Sequence, residues 1–421
     1  MGEVFANRNF RMLFFGNLFS GFGQGMTMIG IAWYMVQTTG TATLLGSTMF
    51  FSGLIMLMLG PYLGTLIDRF SRKKILLAEN LLGFLVLFLL AIWGYFGEYA
   101  NSSLIVIYMV TTLIFQVHYP ALTALVQEQF ESKNYNDINS LLEIESQTSA
   151  VLAGGVAGFL LSHIGLQYVL FFNALTYLFA FLMVHSISYT FTLEKEVKQN
   201  INSSWVEQFM QSWDFVREKR GFFLFGIAVM MPFVAVMATN FLGPVFVAQT
   251  LKEDVLIYSL GEVAYAIGAI VAGIYIYHVM KRLGEYTSMI GNILIFSLGL
   301  AGMIIFSVGW IYVAMYIIVG WANASTRLIR QSLYMKLIPK ELMGRVMSFF
   351  SSVGMLMRLI LIGVFTVITD KTGAVFGHIV LIGLLMLSAV GIMCSLRLLL
   401  QASGEQFPLE KETESNQGLS S

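Results

Sequence analysis

Charge is scarce in this chain. Only 11% of its residues are Asp, Glu, Lys or Arg and 57% are hydrophobic, whereas soluble domains carry about 25% charge. A water-soluble fold is therefore excluded. Apolar runs of membrane-spanning length recur from end to end, which predicts a membrane protein built of α-helices, because a helix satisfies every backbone group inside lipid. The runs are too long for barrel strands. Cys394 is the single cysteine, so an intrachain disulfide is excluded. The five histidines have no paired metal spacing, and no metal site is expected. No glycine-rich loop followed by Lys and Ser or Thr is present to cradle a nucleotide phosphate. Nor is there a hydrolase triad or zinc motif, so the chain is not expected to be an enzyme. The formal net charge is zero, leaving no global field for nucleic acid. The first apolar run is full length and lacks a small-residue cleavage site, so the first helix is expected to stay in the mature protein.

Twelve spans are expected, near 12–35, 43–67, 75–96, 104–127, 139–163 and 168–189, then 221–247, 255–279, 287–308, 310–334, 343–368 and 375–397. They divide the chain into a six-helix bundle at 1–189, a linker at 190–220, a second six-helix bundle at 221–397 and a polar, disordered cytoplasmic tail at 398–421. Lys and Arg fix the orientation. With both termini inside, nineteen cations fall on the cytoplasmic side and only Lys252 and Lys371 outside. The other three, Arg327, Arg330 and Arg358, lie within spans. Trp33, Trp93 and Trp310 then mark outer helix ends as interfacial anchors. In the linker, Trp205, Phe209, Trp213 and Val216 recur at helical spacing opposite Glu207, Gln208, Gln211 and Arg217. This pattern predicts an amphipathic helix on the inner membrane surface, with a solvated linker helix as the alternative.

The turn between the second and third spans, "GPYLGTLIDRFSRKK", concentrates Gly64, Asp68, Arg69, Arg72 and Lys73 at the inner face. It closely resembles the signature loop of the major facilitator superfamily, roughly G-x-x-x-D-R-x-x-R-[KR]. In the second half Gly273, Lys281 and Arg282 are kept while Tyr277 stands in the place of Asp68, so the second copy is degenerate. "LIPKELMGRVMS" at 337–348, "HYPAL" at 118–122 and "GEVAYAIGAIVAG" at 261–273 resemble the macrolide-efflux and enterobactin-exporter branch of bacterial drug-export facilitators. The chain departs from relatives at Thr111, where many carry Arg, at Gln24, where many carry Asp, and at Gly154 to Phe159, where Gly155 replaces the proline of the antiporter motif.

The resemblance implies two pseudo-symmetric bundles with alternating access in a bacterial cytoplasmic membrane. It also implies proton-driven export of an amphipathic, drug-like or macrolide-like small molecule by a monomer without cofactor. An exporter of an anionic siderophore, a lysophospholipid transporter on the same fold and a non-transporting receptor or scaffold are the alternatives. Gly64, Asp68, Arg69, Arg72 and Lys73 would form a conformational latch, with Gly64 permitting close helix packing and Asp68 accepting from helix amides or an Arg across the seam. The competing account is a basic topology anchor. Charges inside a bilayer cost about 2.5–3.5 kcal/mol each even on insertion scales, which nominates Glu262, Glu143, Glu145 and His118 for ion coupling. Glu143 and Glu145, two residues apart, must face different sides of their helix. Asn17, Gln24, Tyr34, Asn240, Asn323, Arg327 and Arg358 are expected to line the cavity. Structural hydrogen bonds or ion pairs are the alternative for each charged or histidine candidate.

Overall fold

The computed structural model describes residues 2–189, 205–219, 221–339 and 342–403. Every regular element among them is helical. A short α1 (Gly2–Ala6) precedes α2 (Arg8–Thr39), α3 (Thr43–Arg69), α4 (Arg72–Phe96), α5 (Asn101–Gln129), α6 (Tyr135–His163) and α7 (Leu166–His185). Next come α8 (Trp205–Glu218), α9 (Phe222–Val245), α10 (Val255–Leu283), α11 (Glu285–Phe306), α12 (Gly309–Leu337) and α13 (Met343–Ser403). Residues 190–204 of the linker and 404–421 of the tail lie outside the described residues.

Local chemistry sets where these helices start. The Asn7 side chain accepts from the amides of Asn9 and Phe10, Ser71 accepts from that of Lys74, and Asp254 from that of Val255. Each satisfies an amide with no partner inside its own helix. Among the described residues, nine helical stretches are long and apolar enough to cross a membrane. α2 and α12 are as long but more polar, and they carry many of the candidate site residues. One of the nine stretches, Arg345–Ser395, has 51 residues, or about 75 Å of helix, far more than one crossing needs. It bends at Gly373, whose φ of 78° and ψ of 162° are non-helical. The break expected between the spans 343–368 and 375–397 thus falls at Gly373, a conformation closed to most other residues, and helical geometry runs a few residues further towards it than expected, through Asp370 and Lys371.

Two bundles result. In the first, α2 packs on α6 and α7, α4 on α5 and α7, and α3 on α5; in the second, α9 packs on α13, α10 on α12, and α11 on both α12 and α13. α8 is seated on the second bundle, where Trp213 meets Phe223 edge-on at 5.4 Å and Phe349 at 6.1 Å. The halves meet mainly through two helix pairs, α6 with α10 and α3 with α13.

These contacts cluster at one end. Gly154 and Gly158 of α6 lie against Ser259 and Val263 of α10, while Gly46 of α3 faces Thr366 of α13 and Phe241 of α9. Asp370 accepts from the Ala42 amide at 2.6 Å and from the Thr43 hydroxyl, capping α3 from the other half. Trp33 stacks on Tyr258 at 6.0 Å and is 4% exposed. The expectation of an interfacial anchor at Trp33 is therefore corrected: its ring fills the seam, and its indole N–H donates to Gln37. Trp93 and Trp310 are exposed. At the opposite end, which bears the Lys- and Arg-rich turns, positions Gly60, Gly64 and Gly273 face open space with nothing within 4 Å of an added Cβ. Gly64 makes no close helix contact in this conformation, contrary to the packing role expected of it. The close inter-bundle contacts at these glycines, Trp33 and Asp370 thus lie towards the end away from the basic turns.

Candidate functional site

Three helices of the first bundle bring titratable groups together in its interior. Glu79 of α4 lies 2.5 Å from the Nδ1 of His118 on α5, with the carboxylate side chain 5% exposed. Glu145 of α6 is buried within electrostatic reach of the same imidazole. The Ser149 hydroxyl, one turn further along α6, is 3.2 Å from Glu145 Oε1 and 2.9 Å from the Leu18 carbonyl of α2. The second oxygen of Glu79 is buried without a hydrogen-bond partner among the described residues. Glu79 was not expected from the sequence. The signal was present, since it is the only acid inside the predicted span 75–96.

Glu143 points elsewhere. It is exposed, accepts from Gln147 at 3.0 Å, and meets the Arg327 guanidinium of α12 at 3.3 Å. This ion pair crosses between the bundles. Its side chains are 57% and 50% exposed, so solvent screening limits it to about 0.2–1 kcal/mol. Reversing one charge with Arg327→Glu is expected to widen the basic end by repulsion, and the double exchange Glu143→Arg with Arg327→Glu to restore it. Cysteine crosslinking across the basic end measures both, and a double exchange no better than the single one would refute the pairing.

Glu262 of α10 is half-buried and forms no hydrogen bond or ion pair among the described residues. Arg358 on α13 lies 3.8 Å from the Met355 sulfur and within electrostatic reach of Tyr108 on α5, and its Nε has no hydrogen-bond partner among the described residues. Arg330 sits 5.9 Å from the Phe233 ring centre, a cation–π distance. Asn240 is exposed partway along α9. The remaining cavity candidates act as braces within one bundle. Gln24 donates to the Thr111 carbonyl at 3.2 Å and Asn323 to the Tyr265 hydroxyl at 2.6 Å. Tyr34 packs edge-on against Tyr99, while Asn17 is buried in the first bundle. For Asn17 the expected cavity position is corrected, because its α2 face turns into the bundle, whereas Tyr34 is only half-buried.

Two bundles of membrane-length helices that meet towards one end describe a fold shared by a large transporter family, and the model of the Major Facilitator Superfamily matches residues 13–362. The chain belongs to the major facilitator superfamily. It is similar to Macrolide efflux protein A of Streptococcus pyogenes, 23% identical over 392 residues that cover 91% of this chain and 95% of that protein. Among solved structures, nucleoside transporter NupG aligns with a TM-score of 0.69 at 16% identity, covering 92% of this chain and 98% of that one. A bacterial homologue of the iron transporter ferroportin in its inward-facing state gives 0.71 at 14% identity, with 92% and 98% coverage. The superfamily is one of multi-pass membrane transporters rather than enzymes.

The superfamily signature turn has a definite geometry here. The Arg72 Nε is 3.1 Å from Glu128 Oε1 at the end of α5, and that carboxylate also accepts from the Tyr189 hydroxyl. Burial, and then the Glu128 hydrogen bond and charge, push the Tyr189 phenol well above its ordinary pKa, so it stays protonated as a donor. Lys73 donates to the carbonyls of His185 and Ile187, at 2.8 and 2.6 Å, where α7 ends. A cation there suits the helix C-terminus. Arg69 is exposed, and the side chain of Asp68 lies outside what is described. These contacts tie α4 to α5 and α7 within one bundle. In the second half Lys281 and Arg282 are exposed, and Glu285 is engaged by Lys336 and Ser332 of α12.

Proposed function

We propose that this protein is a secondary active exporter that moves amphipathic, macrolide-like small molecules out of the bacterial cytoplasm in exchange for protons. Alternating access would be carried by twelve spans with both termini inside, in a monomer needing no cofactor. The observation carrying this reading is that the close contacts between the bundles gather at the far end, away from the basic end, where the positive-inside rule puts the cytoplasm; the reading takes a central space to open there. Such a shape would admit cargo from inside. The same ferroportin homologue in its outward-facing state aligns at only 0.58 against 0.71 for the inward-facing one, which supports an inward-open state. The cargo class rests on the name of the macrolide efflux relative.

In this scheme Glu262 meets a cationic cargo or the coupling ion, since a half-buried carboxylate without a cation invites one. Glu143 faces the opening opposite it, held by Arg327. The signature turn, with Asp68, Arg69, Arg72 and Lys73, would act as the latch of the basic end. A second reading, export of an anionic siderophore or lysophospholipid, is favoured by Arg358, whose guanidinium lacks any carboxylate partner among the described residues.

Transport in inside-out vesicles energised by a pH gradient tests the proposal, with ethidium and a labelled macrolide as probes. Uptake is expected to collapse with an uncoupler and to fall at least about tenfold in Glu262→Gln, the equivalent of about 1.4 kcal/mol. Uptake indifferent to the gradient would overturn the proton coupling. Uptake of a labelled siderophore or lysolipid alone, lost in Arg358→Ala, would turn the assignment to the anionic reading.

A further inference from the structure

We propose that Glu79 and His118, with Glu145 beside them, form the proton-binding site of the transport cycle, and that this cluster exchanges a single proton. This rests on the reading of a proton-driven exporter and names its coupling site. Three observations carry it. The groups come from three separate helices, α4, α5 and α6. Glu79 and Glu145 are almost fully buried, and the short contact of 2.5 Å between Glu79 and His118 shares a hydrogen at whichever atom holds it. The second Glu79 oxygen and the Tyr177 hydroxyl of α7 are both buried and unpartnered among the described residues, so the site has unused capacity for hydrogen bonding.

Charge counting sets the stoichiometry. With one proton shared by Glu79 and His118 and Glu145 ionised, the cluster is a net single anion. A further proton makes it neutral. Removing the shared proton would leave two negative charges in a poorly solvated interior, and adding a third proton would leave a positive one; both are strongly disfavoured there. Groups this close titrate as a unit rather than one by one, which leaves one exchangeable proton between the anionic and neutral forms. Facing the cluster are Tyr177 from α7 and, from α2, Gly21 and the Leu18 carbonyl, with a Cβ at Gly21 falling 3.6 Å from Glu145 Oε1. A further charge within electrostatic reach of Glu145 is Glu143, on the same helical turn.

That neighbour supplies the link to movement. Glu145 belongs to the proton cluster, while Glu143, two residues earlier on the same turn of α6, holds Arg327 across the gap between bundles. Protonation inside the first bundle therefore acts on the segment that touches the second. Glu262, in the other bundle, is left available to cargo.

The test is pulsed electron-electron resonance on the full-length protein in lipid nanodiscs, with spin labels at Lys133→Cys and Met335→Cys in a Cys394→Ser background. Acidification is expected to shift the ratio of the two distance populations about fivefold in this background and less than about twofold when Glu79→Gln is added. Glu145→Gln should behave alike. Glu79→Asp, which keeps the carboxylate, should retain the shift and so separates titration from misfolding. A full acid-induced shift in Glu79→Gln, or none in the parent protein, would overturn the assignment. The proton-driven reading itself fails on different data, namely parent vesicles whose transport ignores the pH gradient.

Discussion

Gly268→Ala is expected to unfold the second bundle or to lower its melting temperature sharply. A Cβ at Gly268 would lie 2.0 Å from the Ile317 carbonyl oxygen and 2.8 Å from the Trp321 amide nitrogen. Gly320 on α12 is the reciprocal case, with the Tyr265 carbonyl oxygen 2.0 Å away. The atoms in the way are backbone, so no side chain can turn aside; α10 and α12 must separate by about 1 Å along their whole contact. Overpacking of this kind costs about 1–3 kcal/mol, and more where the surroundings cannot yield. Since lipid tails give no hydrophobic drive for helix association, close backbone approach is the main attraction between such helices. Gly273→Ala on the same helix meets nothing within 4 Å and serves as the control. Thermal denaturation of both variants in detergent checks this, and equal melting temperatures would show that the two helices do not touch as described.

The second large effect is on conformation rather than folding. Asp370→Ala is expected to release the far end, because the Asp370 carboxylate holds the Ala42 amide and the Thr43 hydroxyl at the start of α3 from the opposite half. An anion at a helix N-terminus gains from both the free amides and the helix dipole. Hydrogen bonds to a charged group contribute about 1.5–3 kcal/mol, and the exposure of Asp370 argues for the lower part of that range. A loss of about 1.5 kcal/mol multiplies the population of the state open at the far end roughly tenfold. Reactivity of a cysteine introduced at Phe50, which packs against Gly363 across the seam, with a membrane-impermeant thiol reagent reports that population. Thr43→Val should give a smaller rise in the same direction. Unchanged reactivity in both variants would mean that the cap does not govern opening.

Much of this architecture was legible in the sequence. Apolar runs interrupted by charges gave helix positions within a few residues, because lipid allows few other outcomes for such segments. The partition of Glu143 and Glu145 to different faces follows from helical geometry alone. What hydropathy cannot supply is the direction in which each helix turns its face within the bundle. Trp33 therefore read as an interfacial anchor, although it stacks on Tyr258 in the seam. Glu79 was hidden for a related reason. It stands five residues from Lys74, close to a predicted span boundary, where a carboxylate is unremarked until the fold brings His118 to meet it. The pairing of Glu143 with Arg327 joins residues 184 positions apart, which only the packing of two bundles could reveal.

The glycine face of α6 has a mechanical meaning. Where Gly154 and Gly158 bear on α10 there are no protruding side chains on the α6 side, so the two helices can pivot without one ridge climbing over another. From that bearing to the start of α6 at Tyr135 is about 20 residues, a lever arm of about 30 Å at 1.5 Å per residue. A rotation of about 10° there, modest beside the 15° of known subunit rotations, sweeps the distant tip through about 5 Å. The far-end bearing thus behaves as a fulcrum with high mechanical advantage in travel: atomic-scale slippage at two glycines becomes several ångströms of movement at the basic end.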